Sequence, residues 1–514
     1  VLIMLRTQRS LLALAALLAA GIAAAADSKL ADLIQDGDRA AALEALNGGA
    51  DVNAVQGDGT APLHWAVYKV DPELVTTLIK RGAKANVTNK YGSSPLAEAV
   101  KLANVKLVTL LLDAGADAES PNADGQTALL LAARAGALDV AKVLVAHGAN
   151  VNTEEAWRGQ TALMWAADGN YAELVQFLID KGASVHTRAA ANEWRAQITS
   201  EPRAQYRPTG GLTPLLYAVR SGCSRCVRSM LAAGADVNQP NPDGVTPLMV
   251  AIDNFHYDTA RLLLDSGANP HVSDWWGRTA LYAAVDMASY NQRGAQRSVA
   301  SETSAHDVVR LLLEAKVNAN SQLNMHRPGR GGNSSRFVDD LLTTGATPLL
   351  RAAIGHDTES VRLLLDHGAL ADLPNVMGVT PLMGAAGMGI SPRDRRLNLD
   401  GPDVQTRALA TLELLVAAGV DVNAKVTDIA GRTARIARIS SMTERDGQTA
   451  LYGAVKFGWA RVVEFLLAHG AKTDVKDAAG KTPLDAALGK AGGRDNVVSD
   501  DVAALLKRGT LAAR

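Results

Sequence analysis

Apolar residues along this chain fall in two short blocks that alternate with polar turns, and the pair recurs. One block opens on glycine, then Thr followed by Pro or Ala, then Leu. It stands at Gly59-Thr60-Ala61-Pro62-Leu63-His64-Trp65-Ala66, Gly125-Gln126-Thr127-Ala128-Leu129, Gly244-Val245-Thr246-Pro247-Leu248 and Gly480-Lys481-Thr482-Pro483-Leu484. The other block is leucine-rich and closes on a second glycine. Examples are Leu110-Leu111-Leu112-Asp113-Ala114-Gly115-Ala116-Asp117, Leu262-Leu263-Leu264-Asp265-Ser266-Gly267-Ala268-Asn269 and Leu363-Leu364-Leu365-Asp366-His367-Gly368-Ala369. Leu and Ala at this spacing make a narrow helical stripe, with Ala small enough for close helix approach. Thr can cap the first helix, and Pro at its first turn gives up only an N–H that has no partner there. The second glycine suits a left-handed helix end, and His147, His367 and His469 just before it favour the helix C-terminus as cations. Asp58-Gly59, Asp124-Gly125 and Asp243-Gly244 are turn dipeptides.

The lead glycines stand at 59, 92, 125, 159, 211, 244, 277, 345, 378, 447 and 480, so the spacing is 33 or 34 except at three places where it is 52, 68 and 69. At 514 residues the chain would ordinarily be read as several domains. A fixed period replaces that reading with one stack of units, none of which buries a core alone.

On these two motifs the chain resembles the ankyrin repeat family, from about Asp27 to its end. The resemblance implies an all-α fold with short β-hairpin fingers: an ankyrin-repeat α-solenoid of about eleven repeats plus an N-terminal cap, with insertions in repeats 4, 7 and 9. Residues 27–58 keep the second motif but lack the first and read as the N-terminal capping repeat. Residues 59–479 are the repeats, and 480–514 form a C-terminal capping repeat whose last helix, ending near Lys507, would cover the stack with Val502, Leu505 and Leu506. Insertions fall near 188–210, 287–304, 321–344, 388–406 and 425–446. Repeat seven has Lys316 where the helix-ending glycine belongs, so that corner is expected to be strained or remodelled.

Three of the insertions sit in fingers and carry arginines: Arg188, Arg195, Arg203 and Arg207, then Arg327, Arg330 and Arg336, then Arg432, Arg435, Arg438 and Arg445. They read either as solvated loops or as arms that deepen a binding groove.

Residues 1–26 lie outside the fold. Arg6 and Arg9, an apolar run from Leu11 to Ile22 and Ala23 to Ala26 read as a signal peptide, too short in its apolar part to span a bilayer. The mature chain is expected to be exported, periplasmic or secreted, with no membrane insertion after cleavage. Its 50 basic and 53 acidic residues give a charge of −3, which with export argues against nucleic acid.

Catalytic motifs are absent: there is no H-E-x-x-H, G-x-S-x-G or P-loop, and the ten histidines are scattered through the repeats. Gly329-Arg330-Gly331-Gly332 lacks the strand–helix setting of a phosphate loop. The reading is no enzyme, no metal and no cofactor. Cys223 and Cys226 are the only cysteines. At a helix start they suit a disulfide, two packed thiols or a redox pair, and Val227 in place of His excludes haem attachment.

In the ankyrin family partners dock on the concave face of finger tips and first helices. The exposed positions there lie one, three and four residues before the Thr slot, and seven and eight after it. In this chain they hold eleven basic residues, seven acids and six of the 21 aromatics. The candidate partner-binding residues are Tyr68, Lys69, Lys90, Tyr91, Lys101, Arg134, Trp157, Arg158, Arg220, Trp275, Trp276, Arg278, Lys456 and Phe457, with Trp275, Trp276 and Arg278 the sharpest spot. The alternative reading packs these aromatics along neighbouring fingers or under the insertions. The expected function is a non-enzymatic protein–protein interaction scaffold of the cell envelope, monomeric, whose partner offers acidic and apolar surface. The alternatives are a secreted effector acting on a host protein and an enzyme whose site lies in the insertions.

Overall fold

A computed structural model describes residues 29–194, 207–289, 301–324, 342, 344–388, 403–427, 445–489 and 498–512. Each repeat is a pair of short helices followed by a finger. First helices start where the Thr slot predicts. The hydroxyls of Thr161, Thr213, Thr246, Thr279, Thr347, Thr380 and Thr482 each accept the N–H three residues on, as does Ser94. Each such cap contributes about 1 kcal/mol. Thr127 and Thr449 hold the extended cap conformation without that bond. Repeat one has Ala61 at the cap, and there His64 takes over: Nδ1 accepts the Ala61 N–H at 3.1 Å and Nε2 donates to the Ser93 carbonyl at 3.0 Å.

Second helices end as the glycines require, with φ of 85° at Gly115 and 87° at Gly267. Lys316 keeps the same corner at φ 60°, donating to Leu313 O while Val317 donates to Leu312 O. The corner is therefore retained with a side chain in left-handed geometry, not remodelled. His147, His367 and His469 turn Nδ1 back onto the carbonyls of Val143, Leu363 and Phe465, each at 2.8 Å. For His147 that bond, helped by Asp113, raises the pKa.

One backbone bond closes all eleven fingers. In eight of them the residue three before the lead glycine (four in the repeat of Gly159) donates to the carbonyl of the residue just after that glycine. Asn89 to Ser93, Asn122 to Gln126 and Asn241 to Val245 are examples at 2.9–3.0 Å. In these fingers the side chain of the donor residue also accepts two N–H groups of the turn. The three fingers with insertions keep the closing bond, as Ala189 to Leu212, Leu323 to Ala346 and Val426 to Gln448, but put a buried apolar residue at its origin. Adjacent fingers are tied tip to tip, Lys90 N–H to Asp58 O and Trp275 N–H to Asp243 O among them.

The chain divides into two compact units, residues 1–190 with 212–235 and residues 191–211 with 236–514. In the first, the capping helices Lys29–Asp36 and Arg39–Asn47 bury Leu30, Ile34 and Leu46, the former packing on Pro62–Tyr68. First helices Pro95–Lys101, Ala128–Ala135, Ala162–Asp168 and Pro214–Ser221 follow in order, each packed on the one before. Asn53, Asn86 and Asn152 brace three of the corners, each amide donating to a corner carbonyl one repeat on (Gly82, Gly115 and Gly182).

The second unit holds repeats six to eleven and the one two-stranded sheet among the described residues. Its strands β1 (Ala191–Trp194) and β2 (Arg207–Gly210) are antiparallel, pairing Ala191 with Gly210 through Trp194 with Arg207. The second helix of repeat nine spans Asp403–Ala417, so residues 403–406, counted above with the insertion, add to that helix. The last helix, Asp500–Ala512, runs past Lys507 and buries Val502, Ala503 and Leu506, with Leu505 only half-buried. Residues 1–26, most of each insertion and the arginines Arg195, Arg203, Arg327, Arg330, Arg336, Arg432, Arg435 and Arg438 lie outside the described residues, as does Gly329-Arg330-Gly331-Gly332.

Candidate interaction surface

First helices of the first unit present the residue seven positions after each cap to solvent, because the apolar stripe at one, two, five and six is turned into the stack. That position carries Tyr68, Lys101, Arg134, Asp168 and Arg220 in five consecutive repeats, all exposed, and Lys69 follows Tyr68. Aromatic rings from the position four after the cap lie beside them. Trp65 meets Tyr68 edge-on at 5.7 Å, the Arg134 guanidinium stands 5.2 Å above the Trp165 ring, and Arg220 stands 4.8 Å above Tyr217. Planar Arg stacked on an aromatic face is held in place while its N–H fork stays available. Arg220 also pairs with Asp168 at 2.7 Å, and Lys101 with Glu98 at 3.0 Å. Lys69, Arg134 and Arg158 take part in no ion pair among the described residues.

The finger tips add large exposed rings. Tyr91 is 72% and Trp157 78% exposed, values that leave almost the whole ring available for contact. Arg158 stands 5.3 Å over Trp157. The tip is shaped by Glu155, a buried carboxylate that accepts the N–H groups of Trp157 at 2.8 Å and Arg158 at 2.5 Å. Lys90 Nζ donates to the Gly57 carbonyl on the neighbouring finger.

In the second unit Trp275 is half-exposed and Trp276 half-buried. Arg278 corrects the sequence reading: it is 1% exposed. Its Nη1 and Nη2 donate to Asp253 at 2.6 and 2.8 Å, and its Nε donates to Asp274 at 2.9 Å. Burial alone would lower its pKa, but the two carboxylates outweigh burial and hold it cationic. It is a buried strut between a finger and a first helix, so it does not contribute to the exposed surface. Lys456 and Phe457 are half-buried, and Phe457 stacks on Trp459 at 5.0 Å.

Family models for ankyrin repeats match this architecture in sequence. A three-copy model covers residues 30–122, 115–189, 196–274 and 215–324, and a single-repeat model covers 344–376 and 446–478. The chain belongs to the ankyrin repeat family. No curated protein matches its sequence. Ankyrin repeats generally mediate protein–protein interaction, and in that sense the chain is a protein-binding scaffold.

Among the described residues no group of three or more His, Cys, Asp or Glu is placed to hold a metal, and no helix is long and apolar enough to cross a membrane. Cys223 and Cys226 are joined by a disulfide with Cα atoms 5.2 Å apart, and both are buried. Cys223 is the helix cap, its sulfur accepting the Cys226 N–H, a place that Asp71 and Asn104 fill in other ankyrin repeats. The sequence reading missed the residues that shape the fingers. Their signal was present as Asn or Asp three before the lead glycine, with the longer Glu155 serving where the spacing is 34.

Proposed function

We propose that this protein is an exported, monomeric, non-enzymatic scaffold that binds a partner protein of the cell envelope through its first-helix and finger-tip face. The observation that carries the reading is the surface of the first unit. Tyr68, Tyr91 and Trp157 lie exposed beside cations that no carboxylate of the described residues neutralises, in a chain with only 21 aromatics. Aromatics and Arg dominate interface energetics, and stacking lowers the entropy lost when Arg is fixed by a partner. Export is supported by the apolar run Leu11 to Ile22 with its small-residue end, and by a cysteine pair joined as a disulfide, a bond that persists in oxidising compartments.

Affinity capture from envelope extract with the full chain tests the reading, with Tyr91→Ala/Trp157→Ala/Arg158→Ala as the comparison. The scaffold reading expects specific partners retained by the native chain and lost from the variant at unchanged helical content. Equal capture by both would place binding elsewhere. Fractionation for the tagged protein tests location, and recovery only from the cytoplasm would overturn export.

A further inference from the structure

We propose that the partner contributes an extended acidic segment, with carboxylates at every third residue, laid across the first helices of repeats one to three. The proposal rests on the scaffold reading and specifies its occupant. The cations that would receive it, Lys69, Lys101 and Arg134, come one per repeat from the seventh and eighth positions of first helices packed in sequence. Packed helices lie about 8–10 Å apart, and three residues of extended chain advance about 10 Å, so a carboxylate at each third residue meets one cation per repeat. Lys69 and Arg134 have no ion pair among the described residues, and Lys101 has only the exposed Glu98 contact at 3.0 Å. Arg134 is fixed over Trp165, whose Nε1 has no hydrogen-bond partner among the described residues.

Spacing and sign also select against a nucleic acid. A polynucleotide strand carries charge at much closer intervals than one per repeat. Its phosphates would run onto Asp168, which holds the same position in repeat four and is itself exposed. A peptide places charge where the cations are and leaves the next repeat to an apolar or neutral residue.

Fluorescence anisotropy of the full chain with labelled synthetic peptides tests this. The probe is a Ser/Gly-based peptide with Glu at every third position. The controls are an isomer with the same glutamates in one block and an oligothymidylate of equal charge. The expected result is at least about tenfold tighter binding of the spaced peptide. Arg134→Glu and Lys69→Glu should each weaken binding, whereas Arg228→Glu on a second helix should not. Equal affinity for the block isomer, equal or tighter binding of the oligonucleotide, or indifference to Arg134→Glu would each overturn the proposal. Partner capture that survives such a result, and still depends on Tyr91, Trp157 and Arg158, would leave the scaffold reading standing without the acidic segment.

Discussion

Asp274 occupies the finger position that Asn89, Asn122, Asn241 and Asn375 hold elsewhere, and one of its oxygens caps the turn as theirs do. The second oxygen is where it differs: it carries charge, and with Asp253 it draws Arg278 out of solvent. Register alone gives Arg278 an exposed position, and nothing in its own residue type reveals the carboxylates waiting on either side. Arg278→Ala should lower stability by about 3–5 kcal/mol, because it leaves two carboxylates in a buried setting. A thermal melt checks this. Adding Asp253→Asn and Asp274→Asn to Arg278→Met should recover most of the loss.

His356 is the opposite case, a buried group held neutral. Its Nε2 donates to the Ala385 carbonyl at 2.9 Å, and burial pushes its pKa down from 6.5 to about 4. The unfolded chain therefore binds this proton more readily than the folded one. The contribution is full above about pH 6.5 and is lost as pH falls toward 4, on the order of 3 kcal/mol. His356→Asn, which tolerates the φ of 50° found there, should flatten this acid limb in melts recorded from pH 7 to 4.

Among elements, the helices were the most legible part, since a Thr slot, a leucine block and a glycine fix both ends of each. Lys316 shows how strongly the stack imposes that corner on a residue unsuited to it. Lys316→Gly should raise the melting temperature, relieving about 1 kcal/mol of left-handed strain. The fingers were less legible. Their closing bond is a backbone bond, and the side chain at its origin varies among Asn, Asp, Glu, Gln, Ala, Leu and Val, so no single residue type announces it. Where that side chain also caps the turn it matters. Asn122→Ala removes the acceptor for two turn N–H groups and should cost about 1–2 kcal/mol, measurable by chemical denaturation.

Over the whole molecule, period and register carried the reading furthest. Counting between motifs put the finger insertions at 188–210, 321–344 and 425–446, and the closing bonds fall at Ala189–Leu212, Leu323–Ala346 and Val426–Gln448. Register also placed most of the aromatic and basic candidates on the surface. It could not say which cations would be consumed by pairing, because that depends on side chains from the preceding repeat, Asp168 for Arg220 and Asp253 for Arg278. The cysteines illustrate a different limit, since spacing alone left three states open. Their disulfide spans a single helical turn, so reducing it should cost no more than about 2 kcal/mol. Circular dichroism with and without reductant should then show the same helical content.

The bond that shuts each finger has a consequence for how such a chain can change. It holds whether three residues or more than twenty lie above it. Since loop-closure entropy rises only logarithmically, a sevenfold longer finger costs about 1.7 kcal/mol. Each finger is thus a socket of constant gauge: whatever is plugged into it is carried by the stack without the helices having to be refitted.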